Sequence, residues 1–144
     1  KIDLSALRQI LFAGEVFATP RLKTLTCLLP KTVFYNLFGP TETNVCLYWP
    51  VDRRRLGSDQ SIPIGASACE AEIKIDPKNS ELFVKGPCLM SGYWENGHCE
   101  LPLDKEGWFH TGDSVSPGAQ GEHQYHGRLD RMIKRSGYRI EPAE

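Results

Sequence analysis

The sequence lacks the features that mark membrane, secreted and nucleic-acid-binding proteins. No run approaches the roughly 20 apolar residues of a membrane-spanning helix, and no signal peptide is visible. The net charge is −1, whereas a nucleic-acid surface needs clustered Lys and Arg. The tightest basic run, Arg53-Arg54-Arg55, is predicted to be a solvated loop. We therefore expect neither a membrane nor a nucleic acid as a partner.

Paired cysteines and an initiator methionine are also missing. The five cysteines are scattered, odd in number and contain no Cys-x-x-Cys pair, which argues against a disulfide framework or a zinc site. Free thiols suit a reducing compartment, so a cytoplasmic location is expected. The sequence of 144 residues begins at Lys1 and stops at Glu144 inside an apparent motif. We expect a fragment of a longer protein.

A βαβ pattern occupies the first part of the chain. Residues 7–12 predict a buried strand that ends in a tight turn at Ala13-Gly14-Glu15. Thr19-Pro20 predicts a helix start, with the Thr19 hydroxyl as N-cap, and Pro30 ends the helix. Residues 32–37 predict a second strand. This order indicates a parallel sheet, and such sheets bind ligands beyond the carboxyl ends of their strands.

The character of the sequence changes after Val51. Residues 52–61 are charged and polar and predict a surface linker. Beyond them, short strands with Gly and Pro turns predict a small antiparallel β-barrel, with hairpins across 77–80 and 117–121. Trp94 and Trp108 are expected in the barrel core.

The predicted fold class is therefore α/β, with the end of a parallel-sheet lobe followed by a small β-barrel subdomain. The units predicted from the pattern are the lobe (1–51), the linker (52–61) and the barrel (from residue 62).

A polar turn after the second predicted strand could carry chemistry. Gly39-Pro40 allows a sharp turn that would display Thr41 and Glu42 in a cleft. The Thr41 hydroxyl can hydrogen-bond a phosphate oxygen, and the Glu42 carboxylate can coordinate Mg²⁺. The alternative is a proline turn at a strand end with Glu42 merely exposed.

Four motifs follow one another in the chain: Asn36-Leu37-Phe38-Gly39-Pro40-Thr41-Glu42, Trp108-Phe109-His110-Thr111-Gly112-Asp113, Tyr125-His126-Gly127-Arg128-Leu129-Asp130 and Ile133-Lys134-Arg135-Ser136-Gly137-Tyr138-Arg139-Ile140-Glu141. Together they resemble the motifs of the adenylate-forming enzymes, which comprise acyl-CoA synthetases, luciferases and peptide-synthetase adenylation domains. A looser match covers residues 80–86 and 91–94, which we interpret as scaffold. The resemblance implies an AMP-forming ligase that activates a carboxylic acid with ATP and Mg²⁺ and releases pyrophosphate.

The resemblance also implies where the nucleotide lies. Phe38 would stack on the adenine, Asn36 would hydrogen-bond it, and Gly39 would turn the chain beside it. The backbone of residues 13–15, with Ala13 in place of the usual first glycine, would run along the adenine and the acyl pocket.

Three further residues take roles from the same resemblance. Asp113 would accept hydrogen bonds from both ribose hydroxyls, and Arg128 would lie near the ribose and phosphates, with Tyr125 on the same aromatic wall. Thr41, Glu42 and Arg128 are then the expected catalytic residues. Asp130 occupies the family's hinge position, which implies that the barrel subdomain covers 62–130 and that a C-terminal domain starts in 131–144. The alternative is an Asp113–Arg128 salt bridge that pins two strands.

The motifs are most similar to amino-acid adenylation domains and to stand-alone ligases that load an amino acid, such as proline, onto a phosphopantetheinyl carrier protein. The acyl pocket would include Leu11, Ala13, Leu37, Val45 and Cys46, and their apolar character favours a small apolar or cyclic substrate. An acyl- or aryl-CoA ligase and a non-catalytic nucleotide-binding remnant are the alternatives. The family's phosphate loop and C-terminal lysine are absent from the sequence, so this piece alone is expected to be inactive.

Overall fold

The computed structural model describes residues 3–57 and 61–130, together with two short strands further on. The first sheet has the strand order β1-β2-β3-β4. Its strands are β1 (Gln9–Phe12), β2 (Val33–Phe38), β3 (Leu47–Pro50) and β4 (Ala66–Ser67). Helix α1 (Thr19–Leu28) joins β1 to β2, which pair in parallel from Gln9↔Val33 to Phe12↔Asn36. The βαβ unit is confirmed.

Strand β1 is not the buried strand that the sequence predicted. It begins at Gln9, and its side chains alternate between half-buried and exposed. Ile10 and Phe12 pack against the core beside α1, whereas Leu11 is 57% exposed. The reason is its place at the edge of the described sheet, where β2 is its only neighbour.

The start of helix α1 also differs from the prediction. The N-cap is Ala18, which makes no side-chain capping hydrogen bond, and Thr19 is the first helical residue. A residue inside the first turn cannot cap from outside it. Pro20 fits because its fixed φ suits that turn, and the helix ends before Pro30 as predicted. No helix in the described ranges is long and apolar enough to cross a membrane.

Six further strands follow the first sheet. They are β5 (Glu72–Ile75), β6 (Glu81–Lys85), β7 (Tyr93–Glu95), β8 (His98–Glu100), β9 (Phe109–Pro117) and β10 (His123–Arg128). Four of them form a curled antiparallel half-barrel in the order β10-β9-β6-β5. The predicted hairpins across 77–80 and 117–121 are the β5–β6 and β9–β10 pairs.

Strands β7 and β8 form a separate two-stranded hairpin. Asn96 and Gly97 turn it with φ of 49° and 82°, and positive φ at both central residues is what a tight two-residue hairpin requires. Trp94 is 74% exposed, so its predicted core position is wrong: a hairpin paired only with itself buries little. Trp108 is half-buried, with the Lys74 and Lys85 ammonium groups 5.6 and 5.7 Å from its ring.

The two sheets share a core across the predicted domain boundary. Cys46 and Leu47 of the first sheet pack with Leu82 and Val84 of β6 and with Val115 of β9. A second cluster lies between α1 and the first sheet: Leu22, Phe34, Trp49, Leu56 and Ile62.

The basic run is only partly the solvated loop that the sequence predicted. The Arg53 guanidinium donates to three backbone carbonyls at the end of α1 and the start of β2: Thr26 (2.9 Å), Leu29 (3.1 Å) and Thr32 (2.7 Å). Helix ends leave such carbonyls without intrahelical donors.

The two following arginines differ from each other. Arg55 forms an ion pair with the buried Glu122 and holds the pKa of that carboxyl below its usual range. Only Arg54 points into solvent, where it pairs with Asp52 at 3.0 Å.

Beyond residue 130 the structure describes two paired antiparallel strands, β11 (Ile133–Arg135) and β12 (Tyr138–Ile140). The rest of the predicted further domain (131–144) lies outside the described residues.

Candidate functional site

Two adjoining cavities lie beyond the carboxyl ends of β1 and β2. The larger has a volume of about 850 Å³ and the smaller about 630 Å³. Both are lined by the turn at 14–17, by Gly39, and by Arg128 and Asp130. This is the position at which parallel α/β sheets bind ligands.

The wall of the larger cavity carries Glu42. A 3₁₀ turn, Thr41–Thr43, follows β2 directly, and Gly39 permits this because a Cβ there would lie 1.6 Å from the Asn44 carbonyl oxygen. The turn buries Glu42 to 3% exposure. Its carboxylate accepts a hydrogen bond from the Tyr93 hydroxyl. The alternative of a merely exposed Glu42 does not fit this burial.

The smaller cavity is lined by aromatic and apolar side chains. The rings of Phe38 and Tyr125 lie 5.6 Å apart at 49°, and Leu37 lines the same cavity. Asn36 donates through Nδ2 to the Pro63 carbonyl oxygen at 2.8 Å. Burial raises the pKa of the Tyr125 phenol, and the charge of Asp113 raises it further, so the hydroxyl stays protonated at neutral pH.

Arg128 stands where the two cavities meet. It donates to Asp113 at 3.1 Å through one terminal nitrogen and to Asp130 at 3.0 Å through Nε, with a second contact to Asp130. Burial lowers the pKa of Arg128, but the hydrogen bonds and charges of Asp130 and Asp113 outweigh it and raise the pKa overall. The guanidinium therefore carries a permanent charge between two carboxylates.

Most of the residues predicted from sequence line one or both cavities. They are Ala13, Gly14, Glu15, Asn36, Leu37, Phe38, Gly39, Thr41, Glu42, Tyr125, Arg128 and Asp130. Four others do not: Leu11, Val45, Cys46 and Asp113.

Asp113 forms the salt bridge with Arg128 that the sequence left open as the alternative to ribose binding. It is fully buried and faces Arg128 across the β9–β10 pair. Alternate residues of β9 point inward, and Asp113 is one of them, so a charge on this face needs a partner. In this structure that partner is Arg128.

The three predicted pocket residues that line neither cavity are displaced for local reasons. Leu11 lies on the exposed face of edge strand β1. Cys46 turns into the shared core next to Leu47, where burial raises the pKa of its thiol to about 11. Val45, half-buried, follows the left-handed residue Asn44 (φ 51°). Their contacts to a substrate stay a prediction.

Several cavity residues received no site role from the sequence, among them Tyr93, Glu81 and His110. Glu81 accepts from the Gly112 amide at 3.0 Å and lies 3.9 Å from Nδ1 of His110. The ring of His110 stacks on Phe83 at 3.9 Å. Glu81 and Tyr93 belong to the segments that we interpreted as scaffold; for Tyr93, the glycine directly before it was the signal available.

The donor set around Glu42 fits a magnesium ion that arrives with phosphates. Among the residues that the structure describes, no group of three or more His, Cys, Asp or Glu is placed to hold a metal by itself. Mg²⁺ is usually held by one or two carboxylates and completed by phosphate oxygens and water. Glu42, with the Thr41 hydroxyl beside it on the cavity wall, satisfies that requirement.

Comparison with known proteins matches the chain to the family described as "AMP-binding enzyme" over residues 1–94. The chain is similar to an L-proline–[L-prolyl-carrier protein] ligase of Streptomyces coelicolor, with 42% identity covering 97% of this chain and 29% of that protein. It is also similar to a D-alanine–D-alanyl carrier protein ligase of Lactiplantibacillus plantarum, with 31% identity over 99% of this chain and 31% of that protein.

Two solved structures are also similar to this chain. PA1221, a peptide-synthetase protein containing adenylation and carrier domains, superposes with a TM-score of 0.80 at 26% identity, covering 95% of this chain and 31% of that one. IdnL1 superposes with a TM-score of 0.82 at 26% identity, covering 96% and 32%. The chain thus spans less than a third of the length of these relatives. It belongs to the family of AMP-binding enzymes.

Proposed function

We propose that the chain is the nucleotide-facing part of an ATP-dependent ligase. The full-length protein activates an amino acid as its acyl-adenylate, releases pyrophosphate and transfers the aminoacyl group to a carrier-protein thiol. Supporting this, the relatives at 42% and 31% identity are carrier-protein ligases for L-proline and D-alanine. Both substrates are small, which agrees with an apolar acyl pocket that includes Ala13 and Leu37.

The observation that carries the proposal is the pair of cavities meeting at Arg128. The smaller offers the Phe38 and Tyr125 rings and the Asn36 amide, which suit a flat heterocycle with hydrogen-bonding edges, such as adenine. The larger offers Thr41, Glu42 and Arg128, which suit a phosphate chain and its cation. One nucleotide could span both.

Each polar residue then has a task. Glu42 would hold Mg²⁺, which when bound neutralises charge on the phosphate oxygens. Arg128 presents its permanent charge at the junction of the cavities, where negative charge develops as the α-phosphorus is attacked. Asp113 keeps Arg128 in place, and its contact to the ribose hydroxyls stays a prediction that requires the Asp113–Arg128 pair to open.

The domain division and the hinge are further parts of the proposal. Asp130 lies on the large cavity just before β11 and β12, as expected of a hinge between the large lobe and a small C-terminal domain. All five cysteines are free thiols, which supports a cytoplasmic location.

The test is ATP–pyrophosphate exchange by the full-length protein, with each amino acid and a panel of simple carboxylates. Exchange driven by one amino acid, proline above all, followed by loading of a phosphopantetheinyl carrier protein, is the expected result. Exchange only with fatty or aryl acids would indicate an acyl- or aryl-CoA ligase instead. No exchange by a well-folded protein that binds AMP would identify a non-catalytic remnant. The chain of residues 1–144 alone should give no exchange.

A further inference from the structure

We propose that Tyr93 is a positioning residue that fixes the metal-binding carboxylate of Glu42. The proposal rests on the proposed function, because it takes Glu42 as the magnesium ligand. It assigns a role to the hairpin β7–β8, which sequence analysis left without one.

Two contacts tie Glu42 to the segment that leads into the hairpin. The backbone carbonyl of Glu42 accepts from the Met90 amide at 2.8 Å, and its carboxylate accepts from the Tyr93 hydroxyl. The residues are about fifty positions apart in sequence, so the fold alone brings them together. Glu42 is thereby held at both its backbone and its side chain.

Gly92 allows this approach. It adopts φ +143°, and a Cβ at this position would lie 2.4 Å from the Glu100 backbone. Only glycine lets the chain pass so close to β8 in that conformation. The next residue, Tyr93, then reaches the cavity wall and Glu42.

Burial of Tyr93 adds little to the stability of the fold. Tyr93 is 43% exposed and its neighbour Trp94 is 74% exposed, so this strand contributes little to the core. The hydroxyl, by contrast, contacts the carboxylate of Glu42, a buried residue. A ligand carboxylate whose rotation is fixed by a hydrogen bond meets the metal with one orientation, and losing such an outer partner typically costs 10–100-fold in metal affinity or activity.

The experiment replaces Tyr93 by Phe in the full-length protein, which removes the hydroxyl and keeps the ring. Binding of Mn²⁺, used in place of Mg²⁺, is titrated by electron paramagnetic resonance in the presence of ATP. We expect binding about 10-fold weaker than in the unmodified protein, with an unchanged thermal unfolding midpoint. Tyr48→Phe is the matched control, since Tyr48 is similarly exposed (40%) and lines neither cavity; it should leave binding unchanged.

Glu42→Gln separates the inference from the proposed function. If Tyr93 acts through Glu42, adding Tyr93→Phe to Glu42→Gln should weaken Mn²⁺ binding by less than about 2-fold, because partners in one interaction are not additive. Tyr93→Gln, whose amide can donate to the carboxylate, should restore part of the binding.

Two results would overturn the inference alone: normal Mn²⁺ binding by Tyr93→Phe, or the same loss in both backgrounds. Normal binding by Glu42→Gln would remove Glu42 as the ligand and overturn the metal assignment together with the inference.

Discussion

Replacing Arg53 by Met should destabilise the protein, whereas replacing its neighbour Arg54 by Met should not. The Arg53 guanidinium satisfies three carbonyl oxygens, two of them part-buried and one exposed. The central guanidinium carbon of Arg53, Cζ, also lies 5.9 Å from the centre of the Phe34 ring. Methionine keeps most of the side-chain length and removes every donor.

The magnitude follows from these contacts. A hydrogen bond to a charged donor stabilises by about 1.5–3 kcal/mol when it is buried, and by less where water can replace it. Two part-buried bonds and one exposed bond therefore give a loss of about 3 kcal/mol, and the ring contact adds about 0.5 kcal/mol. The Arg54 side chain is 90% exposed, and water takes over its contacts at no resolvable cost.

The measurement is urea unfolding of the full-length protein, combined with hydrogen exchange of the α1 amides. Arg53→Met should lower the unfolding free energy and speed exchange at the end of α1, while Arg54→Met matches the unmodified protein. Arg53→Lys should recover only part of the loss, because one ammonium cannot reproduce the guanidinium fork. Equal effects of Arg53→Met and Arg54→Met would refute the reasoning, since Arg53 donates to the three backbone carbonyls whereas the side chain of Arg54 pairs with Asp52 at the surface.

Three further predictions follow from single residues. Cys46, whose pKa burial raises to about 11, should resist iodoacetamide at pH 8 while the exposed cysteines react, as measured by mass spectrometry; its early labelling in folded protein would contradict this. Gly39→Ala should reduce ATP–pyrophosphate exchange by at least about 10-fold, because the new Cβ meets a backbone oxygen at 1.6 Å and must shift the Glu42 turn; unaltered exchange kinetics would be incompatible with that geometry. The hydrogen bond from Arg55 lowers the pKa of Glu122 in the folded state, so its stabilisation is complete above the usual carboxyl value and is lost as the pH falls through the lowered one. Glu122→Gln should therefore flatten the fall of the urea midpoint between pH 6 and pH 3, and an unchanged slope would count against the pair.

Local patterns predicted much of the architecture. The parallel β1 and β2, the helix between them and two antiparallel hairpins were all predicted from apolar periodicity and turn residues, because these features depend on neighbours in the chain. The motif order likewise indicated the family and twelve residues that line the cavities. The Asn96-Gly97 turn between β7 and β8 depends equally on neighbours in the chain, but sequence analysis missed it.

Contacts between distant segments decided what the sequence left open. Nothing near Asp113 in the chain distinguishes a ribose ligand from a partner of Arg128; the register of β9 against β10 brings the two together. Nor does the run of three arginines say which one reaches the end of α1.

The sequence by itself determined the secondary structure of the βαβ unit and the hairpins, and the residue types gathered around the nucleotide site. Only the tertiary structure decided which of those side chains face a cavity and which form ion pairs with each other. It also placed the Tyr93 hydroxyl in contact with the Glu42 carboxylate. The physical reason is that periodicity fixes the face of an element on which a side chain lies, whereas its partner depends on how remote elements pack against that face.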